Sequence, residues 1–416
     1  YVERTMKLGF DIDSFREVGE ALVRNKSRSF LTGFGIFWGL FMLLALVGGG
    51  QGLKSIVMSE FEGFSNNAVV LFPSNTSKPY KGFQEGRSWN LTVNDITRLK
   101  NLMPELDAVT GMVGRWSTPV TCGDNEFKNS SLKGITAEYI KIETPQMKYG
   151  RYINEADVIQ ERKVCVIGKD VYNTLFPNGG DPCGQYICVG SIYMTIVGVD
   201  FNSGNLGING TPSRSVMIPL SVARKIYNYG NLVDILCCTV KPGIKASSLE
   251  SKFRQTLSRY HYYSPDDTEA LICINTEQIF NIADTLFRGI NFLIWLVGIG
   301  TLIAGAVGVS NIMMVSVKER TTEIGIRRAI GALPGEILWQ IISESIALTV
   351  LAGSISIVIS VMILQVVEGA VKAPFQISFW TAVTAMMLLA VLGTLAGLAP
   401  AFRAMKIKPV EAMSEE

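Results

Sequence analysis

The stretch that decides the fold is residues 289–317, which read GINFLIWLVGIGTLIAGAVGVSNIMMVSV and contain no Asp, Glu, Lys or Arg. A helix needs roughly 20 apolar residues to cross the roughly 30 Å hydrocarbon core of a membrane. One charge at the centre of such a helix costs about 2.5–3.5 kcal/mol on insertion. The length and the complete absence of charge therefore predict a transmembrane helix.

Three more stretches lack charge over comparable lengths: residues 29–52, 345–367 and 373–402. The sequence therefore predicts a membrane α-helical protein with four transmembrane helices: TM1 at 29–54, TM2 within 276–318, TM3 at 335–367 and TM4 at 377–403. Because residues 276–318 contain no proline, TM2 should continue beyond the membrane as a rigid helical stalk.

The basic residues near the span ends predict the orientation of the chain. They fall in three groups: Arg24, Lys26 and Arg28; Lys318, Arg320, Arg327 and Arg328; and Arg403, Lys406 and Lys408. The short connection between TM3 and TM4, at 368–376, contains a single basic residue, Lys372. Because basic loops stay in the cytoplasm, both termini should be cytoplasmic and residues 55–275 should lie outside.

The N-terminal and C-terminal segments are expected on the cytoplasmic side. Residues 1–28 predict an amphipathic helix, with Ile12, Phe15, Val18 and Leu22 at helical spacing. Two interpretations stand: this helix lies in the membrane interface, or it packs on a partner subunit. TM1 should be an uncleaved signal anchor, because no small-residue cleavage site accompanies it. Residues 404–416 form a cytoplasmic tail.

The outer segment predicts an extracytoplasmic α/β domain interrupted by an insert. Residues 55–115 and 217–275 each show a strand–helix–strand order, with strands at 67–72, 107–113, 233–240 and 270–274 and helices at 93–103 and 246–260. Such units favour one mixed sheet with helices on one face. Residues 116–216 alternate short strands with turns and predict a β-rich insert.

All seven cysteines lie in the outer segment: Cys122, Cys165, Cys183, Cys188, Cys237, Cys238 and Cys273. An oxidising compartment permits disulfides, and Cys183 and Cys188 are close enough in sequence to close a small loop. The alternative is that the cysteines are unpaired and act as small apolar residues.

Small residues at intervals of four indicate close helix contacts in lipid. They are Gly35 and Gly39 in TM1, Gly300, Ala304 and Gly308 in TM2, and Gly393 and Gly397 in TM4. The pattern predicts tight packing, either within the chain or across a dimer.

No catalytic or cofactor motif is found. The sequence has neither a GxxxxGK[ST] phosphate loop nor a GxSxG elbow, and His261 is its single histidine. The cysteine spacing does not fit zinc, and no basic patch with interleaved aromatic residues predicts nucleic-acid binding. Ionisable residues are scarce inside the spans, and Glu344 is the exception. Three interpretations of Glu344 stand: a structural pairing, a coupling role or a proton relay.

The connection between TM2 and TM3, residues 319–334, predicts a short, stiff helix at the membrane surface. Thr322 should cap this helix and Glu323 should favour its N-terminal end. Gly331 should end it, and Pro334 suits the start of the next helix.

The side chains of this short helix divide into two predicted faces. Ile324, Ile326 and Ile330 offer an apolar face, while Arg327 and Arg328 offer a basic one. The helix would suit a groove of a cytosolic partner. The alternative is a plain connector that obeys the positive-inside rule.

The segment ERTTEIGIRRAIGA at 319–332 resembles the signature loop of the MacB/FtsX-like ABC transporter permease family. Further segments resemble the family in the same order: EALVRNKSRSFLT at 20–32, GRYINEAD at 150–157 with KVCVIG at 163–168 and LF at 175–176, NIMM at 311–314, and APAFRAMKIKPVEA at 399–412. The resemblance covers nearly the whole chain.

The resemblance implies two permeases paired as a homo- or heterodimer, each bound by a cytoplasmic ABC ATPase that carries ATP and Mg²⁺. Coupling helices and stalks would transmit movement to the outer domains. Residues 55–115 and 217–275 would be Porter-like, and 116–216 Sabre-like. The ATPase-coupling residues would be Glu319, Arg320, Thr321, Thr322, Glu323, Ile324, Gly325, Ile326, Arg327, Arg328, Ala329 and Gly331.

The function expected from this resemblance is substrate efflux by a MacB-like exporter in a bacterial inner membrane, with a periplasmic adaptor, an outer-membrane channel and membrane lipid as partners. MacB itself carries its ATPase at the N-terminus. Because 28 residues precede TM1 here, we expect a separate ATPase polypeptide, no cofactor on this chain and no enzymatic activity in it. Alternatives in the same family are a lipoprotein-releasing permease and a mechanical regulator of the cell envelope.

Overall fold

The sequence folds as two units in the computed structural model, which describes residues 26–371 and 373–407, except for the side chains of residues 26–29 and 32. The sheet unit comprises residues 57–285, and the helical unit comprises the chain before and after it. The predicted amphipathic helix, up to residue 25, and the tail from residue 408 lie outside the described residues.

The helices are named in chain order. They are α1 (Lys26–Ser59), α2 (Val93–Leu102), α3 (Glu155–Ile159), α4 (Lys169–Leu175), α5 (Leu220–Ile226), α6 (Glu250–His261), α7 (Thr276–Glu319), α8 (Thr321–Ala329), α9 (Pro334–Val371) and α10 (Phe379–Met405). Short 3-10 turns lie at Ala137–Lys141, Pro212–Arg214 and Ala246–Leu249.

The strands are also named in chain order. They are β1 (Ala68–Pro73), β2 (Leu91–Thr92), β3 (Leu106–Cys122), β4 (Asn125–Ile135), β5 (Met147–Gly150), β6 (Val164–Gly168), β7 (Tyr186–Val189), β8 (Ile192–Asp200), β9 (Ser215–Pro219), β10 (Leu232–Val233), β11 (Ile235–Val240) and β12 (Leu271–Asn275).

Among the residues that the structure describes, four helices are long and apolar enough to cross a membrane, as the sequence predicts. They are Gly33–Ser59 of α1, α7, α9 and α10, with mean hydropathies of 1.8, 2.3, 2.5 and 2.1. Helix α7 has 44 residues and is therefore about 66 Å long at 1.5 Å per residue. This is roughly twice the hydrocarbon thickness, so only part of α7 can lie in lipid.

Glycines allow close helix contacts in the helical unit. A methyl group added to Gly39 would lie 3.0 Å from the Thr301 carbonyl oxygen, and one added to Gly305 would lie 3.0 Å from that of Gly35. In the same way, Gly393 lies against Thr349. Helix α1 therefore packs backbone to backbone on α7, and α10 packs on α9.

The second predicted set of small residues does not take part in this packing. A methyl group added to Gly300 or Gly308 would meet nothing within 4 Å, and Ala304 is exposed. The observed seam of α7 contains Gly298, Leu302 and Gly305 instead. A shift of two residues turns a helix by about 200°, which places the predicted stripe on the opposite face. Packing within the chain is therefore wrong for that stripe, and the dimer alternative stays a prediction.

The four strands around the predicted α/β domain form an antiparallel sheet in the order β12-β1-β11-β3. The mixed sheet predicted for this part is wrong. Each strand–helix–strand unit leaves a gap between its two strands, and a strand of the other unit fills that gap. This interleaving makes every hydrogen-bonded neighbour antiparallel and is the split arrangement of ferredoxin-like folds.

Strand β3 continues without a break from this sheet into the insert. It has 17 residues, whereas the sequence predicts a strand at 107–113 and a domain boundary after residue 115. The pairing of β3 with β4 shifts between Arg115 and Thr118, where Ser117 has a φ of 53°. A bulge re-aims the strand there, so the boundary lies inside a strand. Of the parallel pairs, β6 with β8 lies within the insert, while β4 with β9 crosses the predicted end of the insert at residue 216.

Both faces of the four-stranded sheet are covered. Helices α2 and α6 bury Leu99, Met103, Phe253 and Leu257 on one face, as the sequence predicts for helices on a single side. The other face packs against the turn that carries Tyr139. The apolar alternation of the strands therefore supplies two core layers.

All seven cysteines are free thiols, so the predicted Cys183–Cys188 bridge is not formed. The two sulfur atoms have different neighbours. The Cys183 sulfur lies beside Gly150, while the Cys188 thiol points to the Gly190 carbonyl oxygen at 3.7 Å. Burial, together with Asp181, raises the pKa of Cys183 to about 11.

A buried carboxylate joins α2 to α6. Asp95 accepts hydrogen bonds from the Thr92 backbone N–H at 2.8 Å, the Arg98 guanidinium at 2.8 Å and the Thr92 hydroxyl. The ring of His261 lies 2.8 Å from the same carboxylate. Burial alone would raise the Asp95 pKa, but these partners, His261 foremost, lower it to about 2.

The Gly39 contact predicts a selective effect on stability. Gly39→Leu should lower the free energy of unfolding by about 1–3 kcal/mol, because the facing backbone carbonyl cannot move aside as a flexible side chain can. Gly289→Leu, at an exposed position of α7 where an added methyl group would meet nothing within 4 Å, is the matched control and should have little effect. Thermal unfolding of the purified full chain in detergent measures both, and equal losses would refute the packing.

The Asp95 network predicts a dependence of stability on pH. The lowered pKa contributes about 2 kcal/mol above the unfolded value near 3.8, and this contribution is lost as pH falls through about 2. Asp95→Asn should therefore destabilise the chain at neutral pH, with a deficit that shrinks between about pH 4 and pH 2. Asp124→Asn, at an exposed turn, is the control. Trp fluorescence follows the unfolding. A deficit in unfolding free energy that does not change with pH would contradict the assignment of the effect to Asp95.

Candidate functional site

The turn between α7 and α8 is a single residue long. Helix α7 ends at Glu319, and α8 begins at Thr321, so Arg320 alone separates them. The Thr321 hydroxyl donates to the Lys318 carbonyl at 2.7 Å. The prediction of Thr322 as the cap is therefore wrong, because Arg320 occupies the cap position. Glu323 lies in the first turn of α8, where its charge suits the helix dipole.

The other end of α8 closes with a glycine. Gly331 has a φ of 107°, a conformation that costs a residue with a Cβ far more than it costs glycine. The Gly331 and Ala332 N–H groups donate to the carbonyls of Arg328 and Arg327 at 3.1 and 3.0 Å. Helix α9 then begins at Pro334, whose missing N–H is no loss at a first helical position.

Arg328 ties α8 to the end of α10. Its guanidinium donates to the Met405 carbonyl oxygen at 2.8 Å and also to that of Ile407. The predicted basic face of Arg327 and Arg328 is therefore wrong for Arg328, which is turned inward onto backbone carbonyls. An arginine near a helix C-terminus also interacts well with the partial negative charge there.

One ion pair and one hydrogen bond connect the α8 region to α9. The Arg320 guanidinium lies 3.2 Å from the Glu344 carboxylate. Arg327 lies 3.3 Å from Glu323 and donates to the Gln340 side chain at 3.3 Å. A narrow cleft runs beneath these groups and is lined by Met313, Ser316, Val317, Arg320, Glu323, Ile324, Arg327, Ile337, Gln340, Ile341 and Glu344.

The apolar residues of α8 do not share one face, contrary to the prediction. Ile324 packs against the core of the helical unit, while Ile326 is 45% exposed and Ile330 is 82% exposed. Residues two apart on a helix point about 200° away from each other, so Ile324 and Ile326 cannot lie together. Leu333, 63% exposed, extends the open side. We call Ile326, Ile330 and Leu333 the docking edge.

The corner combines partnered arginines with exposed aliphatic side chains. Arg320 and Arg327 pair with carboxylates, Arg328 donates to backbone carbonyls, and the docking edge presents three aliphatic side chains to the surroundings. Among residues 26–371 and 373–407, no group of three or more His, Cys, Asp or Glu side chains could hold a metal ion. A rigid helix that presents exposed aliphatic residues is the form in which helices fill hydrophobic grooves.

Sequence reasoning allowed for a structural pairing of Glu344, but it identified neither the partner of Glu344 nor that of Arg328. The pairing of Arg320 with Glu344 joins residues 24 positions apart, and Arg328 reaches carbonyls 77 and 79 positions away. The single carboxylate in an otherwise uncharged span was the available signal for the first. No local signal marks a backbone carbonyl as the partner of an arginine.

Two family descriptions match the chain. The MacB-like periplasmic core domain matches residues 29–256, which is more than half of the chain, and the FtsX-like permease C-terminal domain matches residues 295–409.

Two similar curated proteins illustrate the range of relatives. A probable export ATP-binding/permease protein of Pseudomonas fluorescens is 27% identical over 413 residues, covering 98% of this chain and 61% of the relative. A macrolide export ATP-binding/permease protein, MacB, of Neisseria meningitidis is 26% identical over 418 residues, covering 97% and 61%. The chain thus spans 61% of the length of these relatives.

Among solved structures, the periplasmic region of MacB from Actinobacillus actinomycetemcomitans aligns with a TM-score of 0.43 and 18% identity, over 54% of this chain and 95% of that one. The extracellular domain of the ABC-type transporter YknZ from Gram-positive bacteria aligns with a TM-score of 0.42 and 16% identity, over 50% of this chain and 100% of that one.

Proposed function

We propose that this chain, which belongs to the MacB/FtsX-like family of ABC transporter permeases, is the membrane part of an exporter that moves its sheet unit when ATP is hydrolysed on an ABC ATPase. The docking edge carries this proposal. It is an exposed aliphatic surface formed by Ile326 of α8, Ile330 at its C-cap and Leu333 before α9, and the short helix region is tied to α9 and to the end of α10.

The contacts of Arg328 and Arg320 suit α8 to transmit force from a bound partner. Arg328 fixes one side to the end of α10, and Arg320 fixes the other to α9. A helix with such contacts moves together with the helices that hold it. An ATPase bound at Ile326, Ile330 and Leu333 would therefore shift α9 and α10 and not only a flexible loop.

Helix α7 is the proposed transmission element. It is continuous from Thr276, which belongs to the sheet unit, to Glu319, which adjoins α8. Its backbone hydrogen bonds resist bending over its length of about 66 Å. A displacement at its α8 end would reach the sheet unit without any substrate passing between the spans.

The ATPase is proposed to lie outside residues 1–416, with ATP and Mg²⁺ bound there. Similar proteins are named ATP-binding/permease proteins, and this chain spans 61% of their length. In our proposal an ABC ATPase binds the docking edge from the cytoplasm. The names of these relatives, which describe export, support efflux as the outcome.

The remaining partners follow from the family. A second permease is proposed to pack on the outward stripe of Gly300, Ala304 and Gly308, with the sheet unit in the periplasm and its two parts acting as Porter and Sabre subdomains. A periplasmic adaptor and an outer-membrane channel would complete the path out of the cell. Both termini would lie in the cytoplasm, and the membrane would be the inner one.

Replacing Ile330 tests the docking edge. Ile330→Glu should reduce the ABC ATPase that is retained on the affinity-tagged chain by about tenfold or more, because a buried interface anchor is worth about 2 kcal/mol. Ile159→Glu introduces the same charge at a residue that is 72% exposed in the sheet unit and should leave retention unchanged. Retention of the Ile330 variant at the wild-type level would refute docking at this edge.

A further inference from the structure

A single carboxylate lies in the apolar part of α9. Glu344 is the eleventh residue of this helix, which begins at Pro334, so it lies about 15 Å along the axis from the start. Its side chain is 13% exposed. Burying an ionised carboxylate is costly unless a cation pairs with it, so the residue at this position calls for a partner from another element.

The partner comes from the turn that sets the position of α8. Arg320 is the one residue between α7 and α8, and its guanidinium lies 3.2 and 3.5 Å from the two Glu344 oxygens. The arginine is 30% exposed. Because the turn has no other residue that could absorb a change, the position of Arg320 determines how α8 leaves the end of α7.

A second arginine lines the same cleft as Glu344. Arg327, one and a half turns along α8, contacts Glu323 and Gln340 on the cleft wall. The carboxylate of α9 thus lies near two cations of the α8 region but makes its ion pair with Arg320. Because Glu344 pairs with Arg320 and not with Arg327, the ion pair favours one position of α8 over others in the cleft.

We propose that Glu344 is a positioning residue, which holds α8 at the angle needed for coupling through its ion pair with Arg320. It does not contact the ATPase itself, since it faces the cleft and the docking edge lies on the open side of α8. The inference rests on the proposed function, because the angle of α8 matters only if a partner pushes on it.

The consequence is a separation of binding from turnover. Loss of the pair leaves Ile326, Ile330 and Leu333 exposed for the partner, so binding persists. Force from the bound ATPase then moves α8 alone and is not transmitted to α9.

The test uses Glu344→Gln, Arg320→Gln and the reversed pair Arg320→Glu with Glu344→Arg, each in the full chain within its complex. For both single variants we expect ATPase retention within about threefold of wild type and ATP hydrolysis per retained ATPase lowered about tenfold, a scale that suits a partly buried pair. The reversed pair should recover most of the hydrolysis. Arg403→Gln, at an exposed residue near the same membrane end, is the control and should leave both values unchanged.

A second measurement works without any ATPase. Limited trypsin digestion of the purified chain should cut after Arg327 and Arg328, sites that every variant keeps, about tenfold faster in the single variants, because a helix released from an ion pair opens more often. The reversed pair should restore protection. If either Gln variant fails to fold, the other breaks the same pair from the opposite side.

The outcomes separate the two ideas. Wild-type turnover in the single variants, or a reversed pair no better than they are, would overturn the positioning role and leave docking intact. Loss of retention in parallel with turnover would also overturn it, since that result indicates a general structural role. A wild-type chain that retains no ABC ATPase would overturn the proposed function, while the digestion result would still decide whether the pair holds α8.

Discussion

The exclusion of charge from hydrocarbon is the constraint on which the rest of the helical unit depends. Four apolar helices can satisfy their backbone polar groups only internally, and, with Glu344 as the exception, the ionisable side chains described in them lie toward the ends. Arg320, Arg327 and Arg328 are therefore crowded into one corner with the ends of α7, α9 and α10. Each of these arginines has a hydrogen-bond acceptor there, which makes the corner stiff. The aliphatic side chains of the docking edge stay exposed.

The close helix contacts follow from the same constraint. Water does not drive helices together inside a membrane, so association depends on how closely backbones can approach. Gly39 and Gly305 bring α1 and α7 together, and Gly393 does so for α10 and α9. The Ser345 hydroxyl adds a hydrogen bond to the Gly393 carbonyl at 2.9 Å. These contacts hold α1 against α7 and α10 against α9.

The sequence was sufficient for the features that depend on local pattern. The four spans, the short helix between two of them, the turn at Gly331 and the start at Pro334 each follow from composition or from one residue type. The sequence was insufficient where a distant partner decides. Gly300 and Gly305 are equally small, but only the position of α1 determines which of them packs. The interleaved order of β1 and β11, and the inward turn of Arg328, likewise depend on contacts that are far apart along the chain.

In the proposed function, ATP hydrolysis on an ABC ATPase moves the sheet unit through stiff helices. This movement is measured as the distance between spin labels at position 159 of the two permeases in the assembled complex, with and without ATP. We expect ATP to shift this distance in the wild-type complex. An unchanged distance while the same complex hydrolyses ATP at its full rate would contradict the proposed movement.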